Sequence, residues 1–276
     1  MAAPRRRPRG GRTLLLVADV GNTNTKVGVF DGRRLLVSWR LTSRREQTAD
    51  EYGVFIETLL RTRGIQPSDL HGVAISNVVP PVHQTLDAMC EKYFGHPAFF
   101  VEPGVNTRLP LTVDAPREVG ADRYVDAYAA TVVHGPPLIV IDFGTATTFN
   151  CVNARGEFIG GAIAPGLTTS VDALVARAAR LYRVELVRPK EAIGRSTETN
   201  IQSGAIYGYA GLVDGLVNRM KSEMGGTAKV IATGGNAGLI VDVARSIDQV
   251  DEHLRLEGLR RLYDEAHPAG PVVDTR

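Results

Sequence analysis

The sequence has few cysteines, little net charge and no long apolar run. Its 276 residues include two cysteines, Cys90 and Cys151, which lie far apart and belong to no metal-binding motif. This scarcity excludes a cysteine-based zinc site and argues against a disulfide framework. We therefore expect a reducing, cytoplasmic compartment. The longest apolar runs are interrupted by Asp, Gly or Arg, so we expect none of them to span a bilayer.

The formal net charge is only +2, so the chain as a whole is no polycation. Residues 1–12 are an exception, because they hold five arginines and two prolines. Such a segment cannot bury apolar surface, and we expect a disordered tail. Binding of nucleic acid is the alternative to a solvated tail, and a secretory signal is not expected, because no uninterrupted apolar stretch follows the arginines. Residues 268–276 are expected to form a second loose tail.

Two segments of the chain repeat one pattern. Each has a short apolar strand that ends in an acid, then a glycine turn with hydroxyl residues, then a hairpin. The alignment pairs Asp19 with Asp142, Gly21 with Gly144, and Thr25 with Thr148. So many features in the same order indicate an internal duplication.

The duplication predicts an α/β protein with two similar domains, 13–135 and 136–267, which face each other across a cleft. The boundary is expected at the breaker cluster Gly135-Pro136-Pro137, and ligands of such folds bind in the cleft. Helical spacing of apolar residues predicts a helix that begins at Asp50 as its N-cap, and a long helix over about 199–224.

The first candidate site is the turn Asp19 to Lys26, with the sequence DVGNTNTK. A strand that ends in Gly-Asn-Thr offers backbone N–H groups without bulk, as a phosphate requires. Lys26 would add a positive charge, and Asp19 could hold Mg²⁺, which prefers carboxylate and phosphate oxygens. A plain hairpin turn is the alternative. The residues assigned to ATP here are Asp19, Gly21, Asn22, Thr23 and Lys26.

The second candidate site is DFGTATT, residues 142–148, where threonines surround a glycine after a strand with an acid near its end. This pattern fits phosphate or cation binding, and a hairpin with surface threonines is the alternative. Because the pattern recurs in both halves, we expect the two turns to contact one ATP from opposite sides. The residues assigned to ATP are Gly144, Thr145 and Thr147, together with the pair Gly234 and Gly235, which would let a base or ribose approach the backbone.

A further motif, Gly120-Ala121-Asp122-Arg123, opens a predicted helix. By spacing alone, its acid is more typical of a helix cap than of a site.

With these motifs in hand, the chain resembles the type III pantothenate kinase family from about residue 14 to residue 265. The family's D-x-G-N-T motif is present from Asp19 to Thr23, its G-x-D-R motif from Gly120 to Arg123, and its second phosphate motif at 142–148. Further matches are SNVVPP (76–81), GGAIAPG (160–166), GRST (194–197), IQSG (201–204), ATGG (232–235) and LRLEGL (254–259). Any one motif is modest, but the ordered set is specific.

The resemblance implies the actin-like ATPase (ribonuclease H-like) fold and transfer of the ATP γ-phosphoryl group to pantothenate, the first step of coenzyme A biosynthesis. Asp122 would act as general base, while Gly120, Ala121 and Arg123 would bind pantothenate. Asp19 would serve Mg²⁺, and Asp142 would hold a monovalent cation, K⁺ or NH₄⁺. The family's dimer implies that Thr197 reaches the neighbouring subunit's pantothenate site. Nucleic acid and membrane are not expected as partners.

Two positions depart from the family pattern: Val113 replaces a usual Tyr, and Ala115 replaces a usual Asn. Both concern the pantothenate pocket. The rival interpretations are another sugar or polyol kinase of the same fold, a non-catalytic nucleotide-binding regulator, and an actin-like filament protein. The short chain argues against the first and the retained Asp19, Asp122 and Asp142 against the second. The third interpretation lacks support because the sequence contains no long insertions for subunit contacts.

Overall fold

The computed structural model describes residues 13–268, in two compact units. The first unit comprises residues up to Val101 and from Leu259 onward, and the second comprises Glu102–Gly258. The expected boundary at Gly135 to Pro137 differs from this division, because the helix Ala121–His134 before it packs against strands of the second unit. The two predicted tails lie outside the described residues, except for residue 268.

The first unit contains one mixed sheet. Its strands are β1 (Leu14–Val20), β2 (Asn24–Asp31), β3 (Arg34–Thr42), β4 (Leu70–Asn77) and β5 (Ala98–Phe100), and its helices are α1 (Ala49–Arg61) and α2 (His83–Met89). The sheet order is β3-β2-β1-β4-β5, with antiparallel pairs on one side of β1 and parallel pairs on the other. Every residue of β1 is buried, as expected for an apolar strand at the centre of a sheet.

The second unit contains the corresponding sheet. Its strands are β6 (Leu138–Phe143), β7 (Ala146–Val152), β8 (Phe158–Pro165), β9 (Lys229–Thr233) and β10 (Gln249–Val250). Its helices are α3 (Ala121–His134), α4 (Leu167–Arg177), α5 (Thr197–Glu223), α6 (Ala237–Ile240) and the start of α7 (Leu254–Ala266), which continues into the first unit. The sheet order is β8-β7-β6-β9-β10, with the same directions as in the first sheet.

The two sheets therefore share one topology, and the duplication predicted from the sequence is confirmed at the level of strand order. The register corrects one detail of the alignment. Asp19 pairs with Lys26, whereas Asp142 pairs with Thr148. Because the second turn is one residue shorter, Thr148 occupies the position of Lys26, and Thr147 that of Thr25.

The start of α1 also differs from the prediction. Thr48, not Asp50, is the N-cap, and it forms a capping box with Glu51: the Thr48 N–H donates to Glu51 Oε2 at 2.7 Å, and Thr48 Oγ1 accepts from the Glu51 N–H at 3.3 Å. Asp50 accepts hydrogen bonds from Lys92 Nζ at 2.6 Å and from the Tyr93 hydroxyl at 2.8 Å. Among residues 13–268, no helix combines the length and apolarity needed to cross a membrane.

Candidate active site

The first predicted phosphate turn joins β1 to β2. Asp19 stands near the end of β1, is 8% exposed, and pairs in register with Lys26. The Gly21 N–H closes the turn by donating to the Asn24 carbonyl oxygen at 3.1 Å. A Cβ at position 21 would lie 3.0 Å from that oxygen, so glycine permits the tight closure. The exposed residues of the turn are Asn22, Thr23 and Asn24.

Two residues that sequence reasoning missed support this turn from the segment after β3. The Ser43 N–H donates to the Thr23 carbonyl oxygen at 3.0 Å, and its hydroxyl lies 2.8 Å from Thr25 Oγ1. Arg45 donates from Nη2 to Asn22 Oδ1 at 3.2 Å. Only tertiary structure could reveal them, because nothing in their own sequence links them to the turn.

The second phosphate turn joins β6 to β7. The Gly144 N–H donates to the Ala146 carbonyl oxygen at 3.0 Å, and Thr145 is exposed. The Thr145 carbonyl oxygen accepts from the Gly166 N–H at 3.0 Å and from Thr169 Oγ1 at 2.7 Å. The beginning of α4 therefore fixes the shape of this turn.

Thr147 faces the interior of the second unit. Its side chain is fully buried, and its Oγ1 lies 2.6 Å from the Tyr209 hydroxyl of α5. The same hydroxyl lies 2.6 Å from the Pro165 carbonyl oxygen. In this structure Thr147, assigned from the sequence to ATP, is thus engaged in tying α5 to the sheet.

Gly234 brings the ATGG segment against the second turn. Its φ is +95°, a conformation that favours glycine. A Cβ there would lie 2.4 Å from Asp142 Oδ1 and 2.5 Å from the Phe143 nitrogen. Gly235 is exposed beside it. The structure therefore brings Asp142 and Gly234 together.

A buried ion-pair network that no sequence motif had indicated adjoins Asp142. Arg255 of α7 donates from Nε to Asp126 Oδ1 at 2.9 Å, from Nη2 to Asp126 Oδ2, and from Nη2 to Asp142 Oδ2 at 2.8 Å. Asp126 is completely buried, which raises the pKa of its carboxyl to about 7 against the opposing effect of Arg255. The LRLEGL match contains Arg255, but a match alone gives no role.

The G-A-D-R motif begins α3, and Gly120 is its N-cap without a side-chain hydrogen bond. Ala121 is 7% exposed, whereas Asp122 and Arg123 are half-buried. Asp122 Oδ1 accepts from the Arg123 backbone N–H at 2.7 Å. Asp122 therefore lies in the first turn but is not the N-cap that spacing alone had favoured.

The Arg123 side chain is held by β7 and β8. Its Nε donates to Asn150 Oδ1 at 2.7 Å, its Nη2 lies 3.5 Å from the Phe149 carbonyl oxygen, and its guanidinium carbon lies 5.6 Å from the centre of the Phe158 ring. Burial lowers the pKa of Arg123, and the nearby Asp122 opposes this shift. Sequence reasoning missed Asn150, which lies on a strand and in no motif.

Val113, one of the two departures from the family pattern, lies close to the strand that contacts Arg123. A Cβ at Gly160 would be 3.9 Å from Val113 Cγ1. A Cβ at Gly161 would be 3.3 Å from Arg123 Nη2. The apolar Val113 thus borders the surroundings of Arg123, while Ala115 is exposed.

Thr197 is the first residue of α5 in the second unit, and it is exposed. It lines a groove of about 690 Å³ between α4 and α5, whose other lining residues are mostly apolar or small. Neither Asp122 nor Arg123 lines this groove. The groove that Thr197 lines therefore does not include the G-A-D-R motif.

Comparison with known proteins finds relatives that match nearly the whole chain. A family model for type III pantothenate kinase matches residues 15–219. A type III pantothenate kinase of Myxococcus xanthus is 49% identical over 254 residues, which cover 92% of this chain and 99% of the relative. One of Moorella thermoacetica is 49% identical over 251 residues, covering 91% and 99%.

Solved structures resemble this chain at much lower identity. A structure described as a Baf family transcriptional activator from Campylobacter jejuni has a TM-score of 0.58 at 18% identity, covering 91% of this chain and 98% of its own. One described as an N-acetylglucosamine kinase from Porphyromonas gingivalis has a TM-score of 0.51 at 11% identity, covering 92% and 99%. At such identities the likeness shows the fold alone, which is that of the actin-like ATPases.

Proposed function

The chain belongs to the type III pantothenate kinase family, and on that basis we propose that Asp122 is the general base and Arg123 the pantothenate-binding cation of an ATP-dependent kinase. The reaction phosphorylates pantothenate and opens coenzyme A biosynthesis. One observation supports the residue roles above all: the half-buried carboxylate of Asp122, which accepts from the Arg123 backbone N–H, and the Arg123 guanidinium, which Asn150 orients, both belong to the first turn of α3.

Asp122 is suited to accept a proton. Phosphoryl transfer requires chiefly positioning and charge neutralisation, and an acid that takes the proton of the attacking hydroxyl completes the set. The hydrogen bond from the Arg123 N–H fixes one carboxylate oxygen of Asp122 at 2.7 Å. The Asp122 carboxylate would accept the proton of the primary hydroxyl of pantothenate.

Arg123 is suited to bind the carboxylate of pantothenate. A guanidinium offers paired donors that match a carboxylate. Asn150 and the Phe158 ring hold the Arg123 side chain, so little rotamer entropy remains to be lost on binding. Gly120 and Ala121 would border the substrate through their backbone.

The two glycine turns are suited to phosphates. Asn22, Thr23 and Lys26 of the first turn and Gly144 and Thr145 of the second would contact them, with Gly234 and Gly235 beside the nucleotide. Thr147 would contribute indirectly, through its hydrogen bond to Tyr209.

Asp19 has the chemistry of a Mg²⁺ ligand. Among the described residues, no group of three or more His, Cys, Asp or Glu side chains could hold a metal ion by itself. Mg²⁺ commonly binds through one carboxylate, substrate phosphates and water, so the single carboxylate at the strand end fits. Bound there, Mg²⁺ would neutralise phosphate charge.

Asp142 has the chemistry of a ligand for a monovalent cation, K⁺ or NH₄⁺, and the proposal places that cation there. Its Oδ2 accepts a hydrogen bond from Arg255 at 2.8 Å. A Cβ on neighbouring Gly234 would lie only 2.4 Å from its Oδ1, so glycine at that position leaves room beside this oxygen.

The groove beside Thr197 supports a homodimer. Leu174, one of its lining residues, is 48% exposed, and two lining glycines, Gly204 and Gly208, have open space where a side chain would be. Exposed apolar surface of this kind is typical of a subunit contact. We place Thr197 at the neighbouring subunit's pantothenate site. We also propose that the enzyme works in the cytoplasm, a reducing compartment in which both buried cysteines would stay as thiols.

The test is an assay of ATP-dependent pantothenate phosphorylation with purified wild type, Asp122→Asn and Asp31→Asn. Loss of a general base lowers kcat by about 10²–10⁴-fold, and we expect this of Asp122→Asn at unchanged thermal stability. Asp31→Asn is the matched control, because it removes the same charge at the exposed last residue of β2, at the opposite end of that strand from the first phosphate turn. An inactive wild type would refute the reaction, and a fully active Asp122→Asn would refute the base.

A further inference from the structure

Arg45 lies beside the first phosphate turn and carries a charge that the proposed function does not use. Its Nη2 donates a hydrogen bond to Asn22 Oδ1 at 3.2 Å. Asn22 is exposed in the turn between β1 and β2, and Arg45 is exposed as well. A guanidinium therefore stands at the edge of the turn that would receive the phosphates of ATP.

The segment that carries Arg45 is fixed to this turn by two further contacts. The Ser43 N–H donates to the Thr23 carbonyl oxygen at 3.0 Å, and the Ser43 hydroxyl lies 2.8 Å from Thr25 Oγ1. Thr25 is only 2% exposed, and a hydrogen bond in such a dry place is stronger than one in water. The backbone that leads to Arg45 is therefore positioned against the turn before any ligand binds.

The charge of Arg45 is not neutralised by a neighbouring acid. Within the part of the chain that the structure describes, Arg45 forms no ion pair, and its side chain makes a single hydrogen bond, to the neutral amide of Asn22. Exposed Arg155, by contrast, has a carboxylate partner in Glu157 at 2.6 Å. A guanidinium has five N–H donors and is charged at every physiological pH. Donors of Arg45 therefore remain for an incoming anion, which has no carboxylate to displace.

A phosphate is the anion that suits this position. Guanidinium donors match phosphate oxygens in pairs, and such charge-assisted hydrogen bonds are stronger than neutral ones. Gly21 closes the turn without a side chain, and the exposed Asn22 and Thr23 are short, so a phosphate can approach. The carboxylate of pantothenate is the other anion of the reaction, and the proposed function assigns it to Arg123.

We propose that Arg45 is a further phosphate-binding residue, which contacts the β- or γ-phosphate of ATP and makes the chain favour nucleotides that carry them. This inference rests on the proposed function, because it takes the first turn to be a phosphate turn. The hydrogen bond to Asn22 sets the direction of the guanidinium, and the phosphate accepts from its remaining donors. AMP has neither of these phosphates and gains nothing from Arg45.

The first experiment measures binding of ATP, ADP and AMP to the full wild-type chain and to Arg45→Gln by isothermal titration calorimetry, with Mg²⁺ and without pantothenate. We expect Arg45→Gln to raise the Kd for ATP by about 5–20-fold, near the lower end for a hydrogen bond to a charged group, because Arg45 is exposed. The Kd for AMP should stay within about twofold. An unchanged Kd for ATP would overturn the inference. Equal losses for ATP and AMP would also overturn it, because Arg45 would then act on the shape of the turn.

The second experiment measures steady-state phosphorylation of pantothenate by the same proteins. Arg45→Gln should raise the KM for ATP by about the same factor and leave the KM for pantothenate unchanged. Arg45→Lys should show a smaller rise, because lysine keeps the charge but lacks the paired donors. A rise in the KM for pantothenate alone would assign Arg45 to the other anion and overturn the inference, as would a wild-type KM for ATP in Arg45→Gln.

The matched control is Arg44→Gln, which removes the same charge from the preceding residue. Arg44 is also exposed, and its contact with the Tyr52 hydroxyl uses the backbone carbonyl oxygen, which the substitution keeps. Its Kd and KM values should equal those of wild type, and equal losses in both variants would show a general effect of surface charge and overturn the role of Arg45.

The two proposals fail in distinguishable ways. A wild type that binds ATP through Arg45 but leaves pantothenate unphosphorylated would refute the proposed function and leave this inference standing. A wild type that phosphorylates pantothenate with no contribution from Arg45 would do the reverse, and a wild type that binds no ATP would overturn both.

Discussion

Arg123 Nε donates a hydrogen bond to Asn150 Oδ1 at 2.7 Å and so joins the start of α3 to the middle of β7, 27 residues later in the chain. The amide of Asn150 is completely buried, and its Nδ2 lies 3.4 Å from Thr148 Oγ1. A buried and hydrogen-bonded amide is a rigid support. The direction of Arg123 is therefore set by the second sheet.

We expect Arg123→Lys to raise the KM for pantothenate by about 10–100-fold, the equivalent of one hydrogen bond to a charged group. Lysine keeps the charge but cannot donate both to Asn150 and, as a fork, to a carboxylate. Because the lost contact binds ground state and transition state alike, kcat should change little. Steady-state kinetics with varied pantothenate measures this.

Asn150→Ala is the companion variant, because it removes the hydrogen bond that orients Arg123 and keeps the Arg123 guanidinium. It should raise the same KM, by a smaller factor, while the KM for ATP stays constant. An unchanged pantothenate KM in both variants would show that Arg123 does not bind this substrate.

Gly161 makes a close backbone contact that no side chain could tolerate. A Cβ there would lie 1.7 Å from the Phe149 carbonyl oxygen. Because Phe149 and Gly161 belong to the paired strands β7 and β8, this clash could be removed only by a shift of one strand relative to the other. We expect Gly161→Ala to lower the free energy of unfolding by about 1–3 kcal/mol or more, as overpacking does. Urea denaturation followed by circular dichroism measures it.

Gly215→Ala is the control with the opposite expected sign. Gly215 lies inside α5, and nothing lies within 4 Å of the position that an added methyl group would occupy. Alanine there should stabilise by about 0.5–1 kcal/mol, because it reduces the entropy lost on helix formation. Equal effects of the two substitutions would contradict the described packing of β7 against β8.

Both thiols should be unreactive in the folded protein. Burial raises the pKa of Cys90 to about 12 and that of Cys151 to about 11, whereas an ordinary cysteine titrates at about 8.5. The thiolate is the reactive form, so native protein at pH 8 should react with a thiol reagent far more slowly than protein unfolded in urea. Equal rates would show that the thiols are accessible.

The same shifts predict a loss of stability at alkaline pH. The folded protein binds the thiol protons more tightly than the unfolded chain does. This contribution is complete below about pH 8.5 and is lost as the pH rises towards 11 and 12. Urea unfolding at pH 8 and pH 10 should show a smaller decline for Cys90→Ala than for wild type.

The sequence predicted the repeated strand-and-turn units because their signals are local. An apolar strand, an acid and a glycine turn follow one another directly in each half, and hairpin partners come at once after them. The N-cap of α1 was wrongly predicted at Asp50, since Thr48 and Asp50 are both suitable caps, and the reciprocal bond from Glu51 favours Thr48.

The supports of the site could not be predicted in this way, because they join distant segments. Asn150, Tyr209 and Arg255 reach their partners across 27, 62 and 113 residues. A single buried polar residue on a strand or helix carries no local pattern that names its partner. Thr147 shows the converse. Its motif predicted a contact with a phosphate of ATP, but its side chain is buried and accepts a hydrogen bond from the Tyr209 hydroxyl.

The proposed exchange of Thr197 between subunits can be tested by mixing two defective variants. In an Asp122→Asn protomer the base is missing, and in a Thr197→Ala protomer the residue offered to the neighbour is missing. If Thr197 acts across the dimer, a mixed dimer contains one site with both residues intact. Random reassociation of equal amounts gives about half mixed dimers, so about a quarter of wild-type sites should be restored.

If Thr197 instead serves its own chain, no site in the mixed dimer is intact, and mixing gives only the average of the two variants. The measurement is phosphorylation activity after the pooled variants have been unfolded and refolded together, compared with each variant treated alone. Thr197→Ala must by itself lower activity for the mixture to be informative, and we expect this because the proposal places the exposed Thr197 at the neighbouring subunit's pantothenate site. Restoration therefore requires both a dimer and a contribution from the partner, and an average value contradicts the exchange.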